Sequence, residues 1–310
     1  MNNIVHFCSL WPKVKFVVVA KEKERRMSSS CCAVYNSPQW IESNRCDFKP
    51  PVCNKCMFSD QLKVFFIGGP NQRKDYHLEC GEEVFFQVEG DMILKVVEQG
   101  KHRDIEIKQG EIFLLPGKIE HSPQRSEGTI GNVIEREREQ DELDCLRYFI
   151  NGTTDTLYER WFHLNDVVKD LPPIIKEFNE SEEAKTGKPG PKAKLQDPAY
   201  QTDKDRKLAD PIDLNKFIND NLAMIEKGPF QLYGQPDYLT TVHLIGKGKH
   251  HLEAGKGDIV VMPQRGNAIL HCEGKDHDLG PFCMARIIKN KSAELEVKDD
   301  AVVVTVRMTR

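Results

Sequence analysis

Between residues 62 and 115 the apolar positions come in short runs or alternate in steps of two, and a turn signal closes each run. Residues 62–67 (LKVFFI) form the strongest β run and end at Gly68-Gly69-Pro70. Further strands are predicted over 75–78, 83–88, 92–98, 104–108 and 112–115, with turns at 79–82, 89–91, 99–101, 109–110 and 116–117. Short strands punctuated by glycine every eight to ten residues or so indicate a mainly β sandwich or barrel rather than a helical or α/β domain. Residues 121–125 and 129–136 read as a hairpin about Glu127-Gly128, and 143–150 as one more strand.

The pattern changes after Thr153. Residues 157–162 are amphipathic, and Pro172-Pro173 is the expected opening of a helix that runs to about residue 179. Residues 181–211, rich in Lys, Pro, Gly and Asp, read as a linker over the surface. Leu214, Phe217, Ile218, Leu222 and Ile225 have helical spacing, and β runs resume at 240–245, 258–262, 268–271, 282–288 and 301–306. The expected organisation is a disordered extension over 1–34, a first β domain over 35–180, the linker, and a second β domain over 212–310. A weak repeat supports two related domains: Gly110-EIFLL-Pro116 and Gly257-DIVVM-Pro263 share one spacing, followed by His121 and His271 respectively. The second domain has no counterpart to the first histidine–glutamate pair below, so it reads as a relative that has lost its metal.

Composition narrows the function. Hydrophobic residues make up 39% and charged residues 30% of the 310, which is a globular rather than a disordered balance. With a net charge of −4 and mixed signs, the chain offers no basic surface for nucleic acid or membrane. The apolar stretch at 16–20 is too short to span a bilayer or to serve as a signal core. Ten scattered cysteines without framework spacing read as reduced thiols of a cytoplasmic protein, Cys53 and Cys56 included.

The candidate chemistry lies in NQRKDYHLECGEEVFFQVEG, residues 71–90, where five residues separate His77 from Glu83. His121 follows 38 residues after Glu83. Two histidines and one carboxylate from separate strands suit a facial iron site, because they hold three positions and leave the opposite face open. His77 ends one strand and Glu83 begins the next, so both enter the same barrel mouth. Arg125 lies an even step from His121 and shares its face on a regular strand. A guanidinium there requires an anion, which suggests a substrate carboxylate. Glu135 would accept a hydrogen bond from a substrate amine or hydroxyl. Simple pairing of Arg125 with Glu135 is the competing account of both residues.

These residues also carry a resemblance. The stretches PPVCNK, 62–125 with its RKDYH…GEEVF and PGKIEHSPQR segments, and LDCLRYFI strongly resemble the 3-hydroxyanthranilate 3,4-dioxygenase family of the cupin superfamily. The likeness covers residues 38–190 closely and the tail loosely. It implies a cupin double-stranded β-helix, with a degenerate second barrel making an animal-type bicupin. It implies one Fe(II) per chain on His77, Glu83 and His121, with Arg73 helping to hold O2. Arg125 would grip the carboxylate of 3-hydroxyanthranilate, Glu135 its amino or hydroxyl side, and Glu83 would also touch substrate. The implied reaction opens the ring to 2-amino-3-carboxymuconate semialdehyde, precursor of quinolinate on the kynurenine route to NAD. A monomer is expected. Bacterial-type members bind a second iron through paired C-x-x-C motifs, and with only Cys272 and Cys283 in this tail no such site is expected. The rival readings are a zinc cupin isomerase, and a cupin that binds a small ligand without turnover.

Overall fold

In LKVFFI, Leu62, Val64 and Phe66 are fully buried while Lys63, Phe65 and Ile67 are partly exposed, the period of two of a strand with a more deeply covered face. The computed structural model, which describes residues 31–50 and 53–310, repeats this pattern through most of the chain. In chain order the first half contains β1 (Cys32–Asn36), α1 (Ser37–Ser43), β2 (Asn54–Ser59), β3 (Leu62–Gly68), β4 (Tyr76–Leu78), β5 (Glu83–Glu89), β6 (Met92–Glu98) and β7 (Lys101–Ile107). There follow β8 (Glu111–Leu115), β9 (His121–Arg125), β10 (Ile130–Arg136), β11 (Asp144–Phe149), β12 (Thr156–Phe162), α2 (Val167–Glu180) and α3 (Glu182–Thr186). The second half contains β13 (Ile212–Asp213), α4 (Leu214–Ile225), β14 (Phe230–Tyr233), β15 (Thr241–Ile245), β16 (Gly248–Glu253), β17 (Ile259–Arg265) and β18 (Ala268–Cys272). It ends with β19 (Lys275–Leu279), β20 (Cys283–Ile287), β21 (Ser292–Val297) and β22 (Val302–Arg307).

The strands make two jelly rolls, each of two facing sheets that do not close into one hydrogen-bonded cylinder. In the first, the order β13-β8-β5-β10-β3-β2 faces β12-β11-β4-β9-β6-β7. In the second, β1-β20-β17-β22-β15-β14 faces β16-β21-β18-β19. The central orders correspond strand for strand: β8-β5-β10-β3 matches β20-β17-β22-β15, and β4-β9-β6-β7 matches β16-β21-β18-β19. This is the bicupin architecture expected from the sequence.

The correspondence corrects the repeat read from sequence. The segment holding Gly257-DIVVM-Pro263 lies on β17, which takes the place of β5 and not of β8. His271 lies on β18, the counterpart of β6, whereas His121 lies on β9, whose counterpart is β21. A glycine, an apolar strand and a proline recur in any jelly roll, so this spacing does not fix a register.

Three apolar clusters follow from strand alternation. Phe85, Leu94, Ile107, Phe113 and Val133 fill the first roll. Val261, Leu270, Ala285, Leu295 and Val303 fill the second. The largest cluster joins the two rolls, with Val64, Phe66 and Phe86 of one sheet against Val260, Met262 and Val304 of another. The outer face of the β5 sheet is thus covered by the second roll, and its inner face is left for the site.

Several local expectations change. The 121–125 and 129–136 strands are not a hairpin: β9 pairs with β4 and β6, and β10 pairs with β3 and β5 in the facing sheet. The turn carrying Gly128 (φ +79°) crosses between sheets, as jelly-roll connections do. Helix α2 starts at Val167, capped by the Asp166 side chain, so its prolines fall inside rather than at its opening. The expected extension, residues 1–34, lies mostly outside the described residues, but Cys32 to Asn36 pair with Ile287 to Cys283 as an edge strand of the second roll. Against the expectation of reduced thiols throughout, Cys31 and Cys272 are disulfide-bonded, since the edge strand sets its start beside the end of β18. Cys53 and Cys56 are free. Among the described residues no helix is long and apolar enough to cross a membrane.

Candidate metal and substrate site

The turn between His77 and Glu83 and the turn before His121 are packed against each other. A Cβ at Gly117 would lie 2.2 Å from the Cys80 carbonyl oxygen, so only glycine permits this approach. The Lys118 amide donates to the Glu79 carbonyl at 2.7 Å, which pins the two turns together. As a result His77 on β4 lies directly across from His121 on β9, and Glu83 opens β5 in the facing sheet.

These side chains line one cavity of about 410 Å3. His77, Glu83, His121, Arg73, Arg125 and Glu135 all contribute to its wall. All but Arg73 are buried residues. The rest of the wall is largely apolar, including Phe85 and Val133 from the sheets and Leu171, Pro172 and Ile175 from α2. The even steps on β9 bring His121, Pro123 and Arg125 to the same cavity.

The imidazoles of His77 and His121 lie edge to face with centroids 5.3 Å apart. His121 Nε2 and Glu83 Oε2 form a buried ion pair at 2.8 Å. His121 Nδ1 is bonded to the Ile119 carbonyl at 3.0 Å, which orients the ring with Nε2 toward Glu83. Burial alone would raise the Glu83 pKa, but attraction to His121, and then to His77 and Arg138, holds the carboxyl at about 2. Burial likewise opposes the charged form of His121, and the Glu83 charge overcomes it and raises that pKa.

Donor atoms within 4.8 Å of one another form two other groups: His77 with Glu79 and Asp144, and Glu79 with Glu83 and Glu135. The three ligands expected from sequence share the cavity without forming one such group. Sequence reading did not single out Glu79, Asp144 or Arg138. Asp144 Oδ2 meets His77 Nε2 at 2.7 Å. The Arg138 guanidinium donates to Glu135 at 2.5 Å and to Asp144 at 2.9 Å, and reaches Glu79 at 2.9 Å. One buried cation therefore serves three buried carboxylates. Burial, with Arg138 opposing it and three acids nearby reinforcing it, pushes the Glu79 carboxyl well above the ordinary range. Glu79 and Asp144 stand behind the cavity wall rather than in it. The even step from His77 to Glu79 was a usable signal, but EREREQDE around Arg138 reads as a solvated loop.

Arg125 does not pair with Glu135, which Arg138 holds. It is 2% exposed, and among the described residues its Nε and Nη2 have no hydrogen-bond partner. Burial, aided by the nearby Arg73 charge and only partly opposed by Glu83, lowers its pKa to about 10. Arg73 is bonded to Asp75, through Nε at 3.0 Å and through Nη2. The unmet donors of Arg125 call for an anion in the cavity.

Fold and site together mark the chain as a bicupin, with histidines, a carboxylate and a buried arginine gathered in the cavity of its first roll. Residues 30–179 match the 3-hydroxyanthranilic acid dioxygenase family. A 3-hydroxyanthranilate 3,4-dioxygenase of Caenorhabditis briggsae is 51% identical over 275 residues, covering 87% of this chain and 96% of that protein. The human protein of that name is 46% identical over 243 residues, covering 78% and 84%. The chain belongs to the 3-hydroxyanthranilic acid dioxygenase family, and is a ring-cleaving dioxygenase. A solved salicylate 1,2-dioxygenase from Pseudaminobacter salicylatoxidans, 12% identical, superposes with a TM-score of 0.53 over 97% of this chain and 95% of that one, which establishes the shared fold. Family, fold and the clustered donors together indicate a metal cofactor.

Proposed function

We propose that this protein opens the ring of 3-hydroxyanthranilate with O2 at one Fe(II) per chain, held by His77, Glu83 and His121. The observation that carries this reading is the buried Arg125 with two unmet donors beside those ligands. The donor set also fits the metal. Asp144 and Glu135 are already met by Arg138, whereas among the described residues Glu83 Oε2 faces His121 Nε2 at 2.8 Å, so the two come together as a donor pair. When bound, iron would supply Lewis acidity toward the ring hydroxyl and amine and a path for electrons from ring to O2.

The chain's own residues do the rest. Arg125 binds the substrate carboxylate and fixes the ring's orientation. Glu135, steadied by Arg138, accepts a hydrogen bond from the amino or hydroxyl side, and Glu83 touches the same edge. Arg73, held by Asp75, lines the same cavity and would help hold O2. Asp144 orients His77 through Nε2, as partners of ligating histidines commonly do. Phe85, Val133 and the α2 residues keep water from the reacting ring.

On this reading residues 35–180 carry the catalytic domain, whose sheet β13 completes, 181–211 are a linker, and 212–310 with the edge strand β1 make a degenerate cupin. The product closes to quinolinate on the route to NAD, and the enzyme works in the cytoplasm. A monomer fits because the second roll already covers the outer β5 sheet. The test is oxygen uptake by Fe(II)-loaded protein with and without 3-hydroxyanthranilate. The proposal requires substrate-dependent uptake with loss of the ring chromophore, and iron-replete protein that leaves the substrate intact in air would refute it.

A further inference from the structure

Among the described residues, buried side-chain polar atoms without a hydrogen-bond partner gather in two places. Three belong to the metal and substrate region: Glu79 Oε1, and Arg125 Nε and Nη2. Three belong to Ser37, Asn132 and Gln264, and these residues line a different cavity of about 770 Å3.

This second cavity lies between the two jelly rolls. Phe66, Asn132 and Phe86 form a cross-strand row on its first-roll wall. Met262 and Gln264 of β17 and Met284 of β20 face it from the second roll, and Ser37 and Ile41 of α1 border it. The cleft opens to solvent at a rim that includes Gln39, Glu42 and Asn215, and ligand pockets favour such clefts at domain boundaries. Orphaned polar groups on an apolar wall are also costly unless something meets them.

The lining chemistry defines the ligand. Among the described residues no lysine, arginine or histidine lines the cavity. Its two glutamates, Glu42 and Glu89, are both paired with Arg45. The Asn132 Nδ2 donates to the Phe65 carbonyl at 2.9 Å, which assigns Oδ1 as the unpartnered atom. The unmet groups are two amide oxygens and a hydroxyl, so the complement donates N–H. We propose that this cavity is a second small-molecule site, distinct from the metal cavity, that takes a neutral aromatic amide and rejects carboxylates.

Calorimetric titration of the metal-loaded full chain with benzamide tests this, with benzoate as the anionic counterpart. In an Arg125→Ala background, which removes the carboxylate grip of the other cavity, benzamide should bind one per chain and benzoate should not bind. Gln264→Met removes one acceptor at nearly constant shape and should weaken benzamide about tenfold. The same variant should melt no lower than wild type without ligand, because the lost oxygen had no partner. Met262→Trp should narrow the cavity beside Gln264 and weaken benzamide binding, with ring cleavage unchanged in both variants. Absence of benzamide binding, equal binding in Gln264→Met, or equal binding of benzoate in the Arg125→Ala background would overturn the proposal.

Discussion

In the first jelly roll β9 begins with His121, and in the second its counterpart β21 begins with Ser292 and Ala293. Strand β5 begins with Glu83, while its counterpart β17 begins with Ile259. Where β4 supplies His77 to the cavity, β16 supplies Leu252 to the apolar cluster. One strand order thus supports two interiors. The second is packed mostly with aliphatic side chains. The first carries buried charge that packing alone does not satisfy. The jelly roll therefore sets positions, and a few inward residues at strand ends decide whether those positions bind.

That contrast can be broken most severely at the ligands. His121→Ala or His77→Ala should remove bound iron and with it turnover, as read by metal analysis and oxygen uptake. Arg125→Ala should leave iron in place and raise KM about a hundredfold, reflecting roughly 2–5 kcal/mol for removing one partner of a buried charge contact. Normal substrate affinity in that variant would assign the carboxylate contact elsewhere. Asp144→Asn should keep the fold yet lower metal affinity by about 10–100-fold, the usual effect of a group behind a ligating histidine.

Acidity offers a finer test. Glu83 is depressed to about 2 from an ordinary 4.5, so in metal-free protein its stabilising contribution is present above 4.5 and is lost as pH falls toward 2. His121 is raised from 6.5, so its contribution is present below 6.5 and is lost as pH rises through the raised value. A metal needs the neutral imidazole. Metal affinity should therefore climb with pH through the His121 titration and level off above it, which titrations at several pH values would show. The smallest effect on the site should come from the other roll. Leu295→Ala should cost about 2–5 kcal/mol of stability by opening a cavity there, with iron content and KM unchanged below the melting transition.

The strands were legible because alternation is dense: residues 62–67, 83–88 and 92–98 each declare a face. The cavity residues His77, Glu83, His121 and Arg125 were legible from turn positions and even steps. The sheet assignment of 121–136 was not, since a glycine turn looks alike whether it joins neighbours or crosses between sheets. Nor was the Arg138 hub. Its burial depends on Glu79, Glu135 and Asp144 arriving from three separate segments, and no local pattern distinguishes it from a solvated charge run. The edge strand at 32–36 is short and follows a polar segment, so its pairing with β20 is set by contacts more than 240 residues away.

The asymmetry between the rolls is tested most directly by iron stoichiometry in anaerobically reconstituted protein, measured for wild type and for His121→Ala. The account predicts one iron per chain in the first and none in the second. Two irons per chain, or one that survives the substitution, would contradict it.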